Sequence, residues 1–190
     1  AFDKVARMLG LGYPGGPAIS LQAQKLRGIK NPRIPERSSV RGRQESRIIL
    51  PRPMINSGDF NFSFSGLKTS VLYRLKEIKK LTPAIVKEFC REFEQAVTDV
   101  LILKTMRAAE KYKVKTIIVG GGVSANKRIR DTLVAKSRIR NQELKILLAP
   151  LELTGDNALM IGVAGYIKHA LKPKKYSLKD INAVGTLRLS

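Results

Sequence analysis

Apolar positions along this chain follow two rhythms, and the points where one gives way to the other mark its elements. Residues 116–119 (Thr116, Ile117, Ile118, Val119) form a continuous β-branched run, the pattern of a strand covered on both faces in a parallel sheet. Gly120, Gly121 and Gly122 follow at once. They remove the Cβ atoms where the chain must turn, so the backbone can take positive φ and approach a ligand closely. Ser124 and Asn126 are good caps for the helix predicted over residues 127–136. Unpaired N–H groups at such a helix start attract phosphate or ribose oxygens, which makes a nucleotide the expected occupant. A tight corner without a ligand is the competing reading. The run also reads as G-x-G-x-x-A, a dinucleotide fingerprint. A site of that kind needs an acid closing the next strand, whereas the next apolar run, 146–149, ends in Pro150, with Glu143 and Glu152 before and after it.

The rest of the chain arranges itself around that turn. Phe2, Val5, Ala6 and Leu9 recur at helical spacing and are closed by Gly10, with Asp3 beside the stripe. Gly15-Gly16 between Pro14 and Pro17 predicts a rigid turn with exposed amides. Within residues 57–69, Phe60, Phe62 and Phe64 alternate with polar partners and predict a half-buried strand ended by Ser65-Gly66. Leu67, Val71, Leu72 and Leu75 then start a helix that runs towards Lys76, Lys79 and Lys80. Thr82 as cap and Pro83 at the first position open the longest helix. Its stripe is Ile85, Phe89, Phe93, Ala96, Val97 and Val100, with Lys104 snorkelling, and it is expected to pack on the sheet beside the 116–119 strand. Residues 145–149 predict a second buried strand, and residues 158–170 a last helix with Met160, Ile161, Ala164 and Ile167 on one face. Asp156-Asn157 stands at that helix's start, past a strand's carboxyl end, where open α/β sheets place ligands; a capping aspartate is the plainer alternative. His169, the single histidine, reads as a surface residue, and residues 183–189 as a candidate edge strand.

Charge changes this picture. The 190 residues carry 36 Lys+Arg against 15 Asp+Glu, a formal net charge of +21, which implies a polyanionic partner, nucleic acid first. The excess is concentrated in residues 25–52, where Lys25, Arg27, Lys30, Arg33, Arg37, Arg41, Arg43, Arg47 and Arg52 face only Glu36 and Glu45. This predicts a basic loop that contacts phosphates; a solvated insert is the alternative. It holds no aromatic residue, so base stacking is not its role. No apolar run approaches the ~20 residues of a spanning helix and no secretory signal opens the chain, so a cytoplasmic protein without membrane contact is expected. Cys90 is the only cysteine; it excludes an intrachain disulfide and reads as a buried thiol on a helical face rather than a nucleophile. The opening Ala1-Phe2-Asp3 reads as the interior of a longer chain.

Taken together, FDKVA at 2–6, GYPGGPA at 12–18, FSFSGLKT at 62–69, GGGVSAN at 120–126 and DNA at 156–158 resemble the second half of the tRNA threonylcarbamoyltransferase family, of the TsaD type. The resemblance covers nearly the whole chain. Three departures stand out: the basic stretch before Pro51 is longer than the family's usual connection, Ser20 stands where an acidic residue is frequent, and Gly155 precedes Asp156 where threonine is common. The resemblance implies an α/β, actin-like and sugar-kinase-like (ribonuclease H-like) lobe, with a mixed sheet flanked by helices. This chain would be most of the C-terminal lobe, with a basic insertion at about 25–52 and the N-terminal lobe absent. The implied activity moves the threonylcarbamoyl group of threonylcarbamoyl-AMP to the N-6 amine of the adenosine beside the anticodon. On the same basis Asp3, Gly16 and Asn126 match contacts to the adenylate. Asp156 matches one ligand of a divalent metal, iron or zinc, whose two histidines come from an H-x-x-x-H motif that this chain lacks. The implied partners are tRNA, the missing lobe, a paralogous actin-like subunit and the small ATPase of the pathway. The other class of reading is a non-catalytic tRNA-binding or scaffold subunit of the same fold; Asn126 and Asp156-Asn157 favour the enzyme, since a scaffold has no need of them.

Overall fold

A computed structural model describes residues 1–27, 48–139 and 144–171. In chain order the elements are α1 Phe2–Met8, α2 Gly15–Arg27, α3 Ser65–Lys76, α4 Pro83–Lys111, β1 Thr116–Val119, α5 Lys127–Ile139, β2 Lys145–Leu148 and α6 Ala158–Leu171. The fold is α/β. Residues Ala1–Thr154 form one compact unit, and the chain from Gly155 onward forms a second.

The first unit is built on α4. Thr82 accepts a hydrogen bond from the Ile85 N–H through Oγ1 at 3.4 Å, and Pro83 occupies the first turn, where its missing N–H costs nothing. Beyond Ile85, which is half-buried, the expected stripe is covered: Phe89, Phe93, Ala96 and Val100 fully, and Cys90 with them. α2 lies along α4, and α1 docks through Phe2, whose ring meets Phe93 edge-on at 5.1 Å. Burying a phenylalanine of this kind contributes about 1.5–3 kcal/mol. From α3, Leu67 and Val71 enter the same core, whereas Leu72 stays 38% exposed.

β1 and β2 pair in parallel, Ile117 opposite Ile146 and Val119 opposite Leu148. Those four side chains pack against the core, while Ile118 points away and is 79% exposed. Within the first unit one face of the sheet is covered, where burial on both faces was expected.

Other expectations change for tertiary reasons. Gly15-Gly16 is not a free turn but the first turn of α2, and Gly15 is buried. A Cβ on Gly15 would lie 2.5 Å from Asp3 Cα and 2.9 Å from Ala6 Cβ, so glycine is what lets α1 and α2 cross there. The basic stretch begins inside a helix, because α2 continues to Arg27; residues 28–47 of that expected loop lie outside the described residues. Its far end is extended along α4: the Ile48 N–H donates to Glu88 at 2.9 Å, the Leu50 N–H to Glu92 at 3.2 Å, and Arg52 pairs with Glu92 and Asp99. Burial pulls on the Arg52 guanidinium, but these two carboxylates outweigh it and leave its pKa raised.

Residues 57–64 form no strand. Their polar groups are taken by Lys104, which does not snorkel but is 1% exposed, its ammonium donating to Ser57 Oγ at 2.6 Å, Asp59 Oδ1 at 3.2 Å and the Asn61 carbonyl at 2.6 Å. The Ser57 hydroxyl, the Asn61 amide and then Lys104 hold the Asp59 carboxyl down at about 2.

In the second unit α6 is apolar around its circumference rather than on one face, and His169 is exposed near its end. The candidate strand at 183–189 lies outside the described residues. No helix of the described residues is long and apolar enough to cross a membrane.

Candidate functional site

The glycine turn at the carboxyl end of β1 is open backbone. Gly121 has φ +83, and at Gly120, Gly121 and Gly122 an added Cβ would meet nothing within 4 Å. A single 3-10 turn, Gly122–Ala125, leads to Asn126, which caps α5 by accepting from the Ile129 N–H at 3.0 Å. Ser124 does not cap. It is buried, and its hydroxyl has no partner among the described residues. One turn into α5, Arg130 donates to the Ser124 and Ala149 carbonyls, which ties the glycine turn to the end of β2.

α1 and α2 are linked to Asn126 through Ser20. Asp3 accepts from the Gly15 N–H at 2.8 Å and so fixes the first residue of α2. Gly16 follows with open space where a side chain would stand. One turn on, the Ser20 hydroxyl donates to Glu94 Oε1 at 2.8 Å and accepts from Asn126 Nδ2 at 2.9 Å. The structure thus brings Asp3, Gly16 and Asn126 into one unit through the amino-terminal half of α2.

At the centre of this arrangement is a residue the sequence analysis passed over. Glu94 of α4 is 1% exposed. Its Oε1 accepts from Asn126 Nδ2 at 2.8 Å as well as from Ser20, and its Oε2 pairs with Arg27 at 2.5 Å. The available signal was position: Glu94 is one turn beyond Cys90 and one turn before Thr98, on the apolar side of α4, and a carboxylate there must find donors. Cys90 confirms the enclosure, since burial, with a further push from Glu94, raises its thiol to about 12. A thiol held neutral at that level is no nucleophile.

Asp156 belongs to the second unit. The helix cap there is Asn157, which accepts from the Met160 N–H at 2.8 Å; Asp156 is exposed and makes no hydrogen bond or ion pair among the described residues. Its carboxylate is therefore available as a ligand. Among the described residues no group of three or more His, Cys, Asp or Glu could hold a metal ion, and metal sites usually take at least three protein ligands. Asp156 supplies one ligating residue, so these residues do not fit a complete metal site.

A family model described as tRNA N6-adenosine threonylcarbamoyltransferase matches residues 1–163, most of the chain. The chain belongs to that family. Among its relatives, the tRNA N6-adenosine threonylcarbamoyltransferase of Thermosipho melanesiensis is 41% identical over 166 residues, 87% of this chain and 44% of the relative. The one from Persephonella marina is 43% identical over 169 residues, 87% of this chain and 42% of the relative. The one from Kosmotoga olearia is 39% identical over 189 residues, 100% of this chain and 50% of the relative. The chain thus spans about half the length of the family members it matches. Every element that frames the glycine turn lies inside the matched region.

Proposed function

We propose that this chain supplies the adenylate-binding part of a tRNA N6-adenosine threonylcarbamoyltransferase, an acyltransferase completed by a further lobe. The observation that supports the reading is that Asn126, which follows an open glycine turn at a helix start, is hydrogen-bonded to Ser20 of α2, whose first residue Asp3 holds, in a chain of this family. In the reaction, the N-6 amine of the tRNA adenosine attacks the carbamoyl carbon of threonylcarbamoyl-AMP. A C–N bond forms, the bond to the phosphate oxygen breaks, AMP leaves with the electron pair and the amine gives up a proton. The protein's task is to hold the donor still and to shield it from water, and preorganised amides at a helix start serve that end without a covalent nucleophile.

In this reading the lobe is actin-like and sugar-kinase-like, Asp3, Gly16 and Asn126 contact the adenylate, and the basic residues of 25–52 meet tRNA phosphates, apart from Arg27 and Arg52, which carboxylates of α4 hold. Asp156 would be one ligand to an iron or zinc ion, with the other ligands from the completing lobe. A paralogous actin-like subunit and the pathway's small ATPase are the further partners.

The test is reconstitution. The 190-residue chain alone should bind no stoichiometric metal and modify no tRNA. Mixed with a polypeptide carrying the other half of the family's length and an H-x-x-x-H motif, it should gain both, and Asp156→Ala should abolish both. Full turnover by the chain alone would overturn the proposal.

A further inference from the structure

The amide of Asn126 has little freedom left in this structure. Its Oδ1 caps α5 at Ile129, and its Nδ2 is shared between Glu94 Oε1 and Ser20 Oγ. An amide of this kind is ambiguous by shape alone, because oxygen and nitrogen can exchange places. Glu94 removes the ambiguity. An ionised carboxylate only accepts hydrogen bonds, so the atom facing it has to be the NH2 group, and the oxygen has to face the helix start. Arg27 pairs with the other carboxylate oxygen at 2.5 Å, so both oxygens of Glu94 face donors. With Nδ2 turned towards Glu94 and Ser20 and one lone pair of Oδ1 given to α5, the second lone pair of Oδ1 remains for a ligand.

We propose that Glu94 is a positioning residue of the nucleotide site: it locks the Asn126 amide so that it meets the ligand as an acceptor. The ligand group at that point is then a hydrogen-bond donor, a ribose hydroxyl or the exocyclic amine of adenine, and not a phosphate oxygen. This rests on the reading of the glycine turn as a nucleotide site, and it fixes the polarity of that site. Glutamine at position 94 would keep the size of the side chain but could present either its oxygen or its NH2 group to Asn126, so the lock would be lost while the packing remained.

Two measurements on the 15N-labelled 190-residue chain test this. The first needs no ligand: exchange of the Asn126 side-chain amide protons, in the wild-type chain and in Glu94→Gln. The account expects them to be protected in the wild type and to exchange about tenfold faster in the variant, the scale of one lost hydrogen bond to a charged group. Unchanged exchange would overturn the positioning role. The second is titration with AMP, with 2′,3′-dideoxy-AMP, which lacks the ribose donors, and with purine riboside 5′-monophosphate, which lacks the amine. The wild type should bind one of the two analogues about tenfold more weakly than AMP, while Glu94→Gln should bind AMP more weakly and lose that discrimination. A variant that keeps wild-type affinity and discrimination contradicts the proposal. Should Glu94→Gln not fold, Ser20→Ala, which removes the other acceptor from the same NH2 group, should show both effects in smaller measure, and their absence would count equally against it. If the wild type binds none of the three nucleotides, the nucleotide reading itself fails, and the exchange measurement still decides the role of Glu94.

Discussion

Glu94 and Lys104 sit on the same helix, each 1% exposed and each saturated with partners, yet they are wired differently. The partners of Lys104 come from one short stretch, Ser57, Asp59 and Asn61, and the charge it faces, Asp59, is open to solvent. Those of Glu94 come from separate parts of the fold: Ser20 from the middle and Arg27 from the end of α2, and Asn126 from just before α5. One buried charge therefore folds a loop onto a helix, while the other joins α2 to Asn126 of the candidate site. Burial alone does not separate a structural charge from a functional one; the identity of what it holds together does.

The sharpest way to break that comparison is to remove each charge. Glu94→Ala leaves Arg27 without its carboxylate and the Asn126 amide half unsatisfied, and should cost about 3–5 kcal/mol, the range for breaking one side of a buried pair. Lys104→Met keeps most of the side-chain volume and leaves behind a carboxylate that water can reach. It should cost less, about 1–2 kcal/mol, the scale of one or two hydrogen bonds. Denaturant unfolding of both variants decides the order, and equal losses would mean that Glu94 is no more connected than Lys104.

A smaller effect concerns pH. Hydrogen bonds from Ser57, Asn61 and Lys104 lower the Asp59 carboxyl to about 2, so its contribution to stability is present above the ordinary carboxylate value of about 3.9 and is lost as pH falls towards about 2. Asp59→Asn should melt earlier than the wild type at pH 6, and the gap should close by pH 2. A gap that stays constant across that range would show that Asp59 does not act through its charge.

How much of this was legible in the sequence follows from the range of each interaction. The Thr82-Pro83 start of α4, the strand at 116–119 and the Asn126 cap are written in neighbouring residues, and they formed where the pattern placed them. Gly15-Gly16 was misread because the need for glycine there comes from α1 crossing α2, not from local turn chemistry. The alternating phenylalanines at 60, 62 and 64 carry a strand's period, but the segment's polar groups are claimed by Lys104 instead of a neighbouring strand. The place of Glu94 on the apolar side of α4 was readable, but its partners were not: its donors lie 74, 67 and 32 positions away along the chain, and no local rhythm announces them.

The most direct test of the central claim is calorimetric titration of AMP into the chain and into Asn126→Ala, with melting curves to show that the variant remains folded despite its lost helix cap. If the glycine turn and Asn126 form the adenylate floor, affinity should fall by about 1–3 kcal/mol, the cost of leaving a polar contact unmade. Equal affinity in a folded variant would contradict the account and place the adenylate elsewhere.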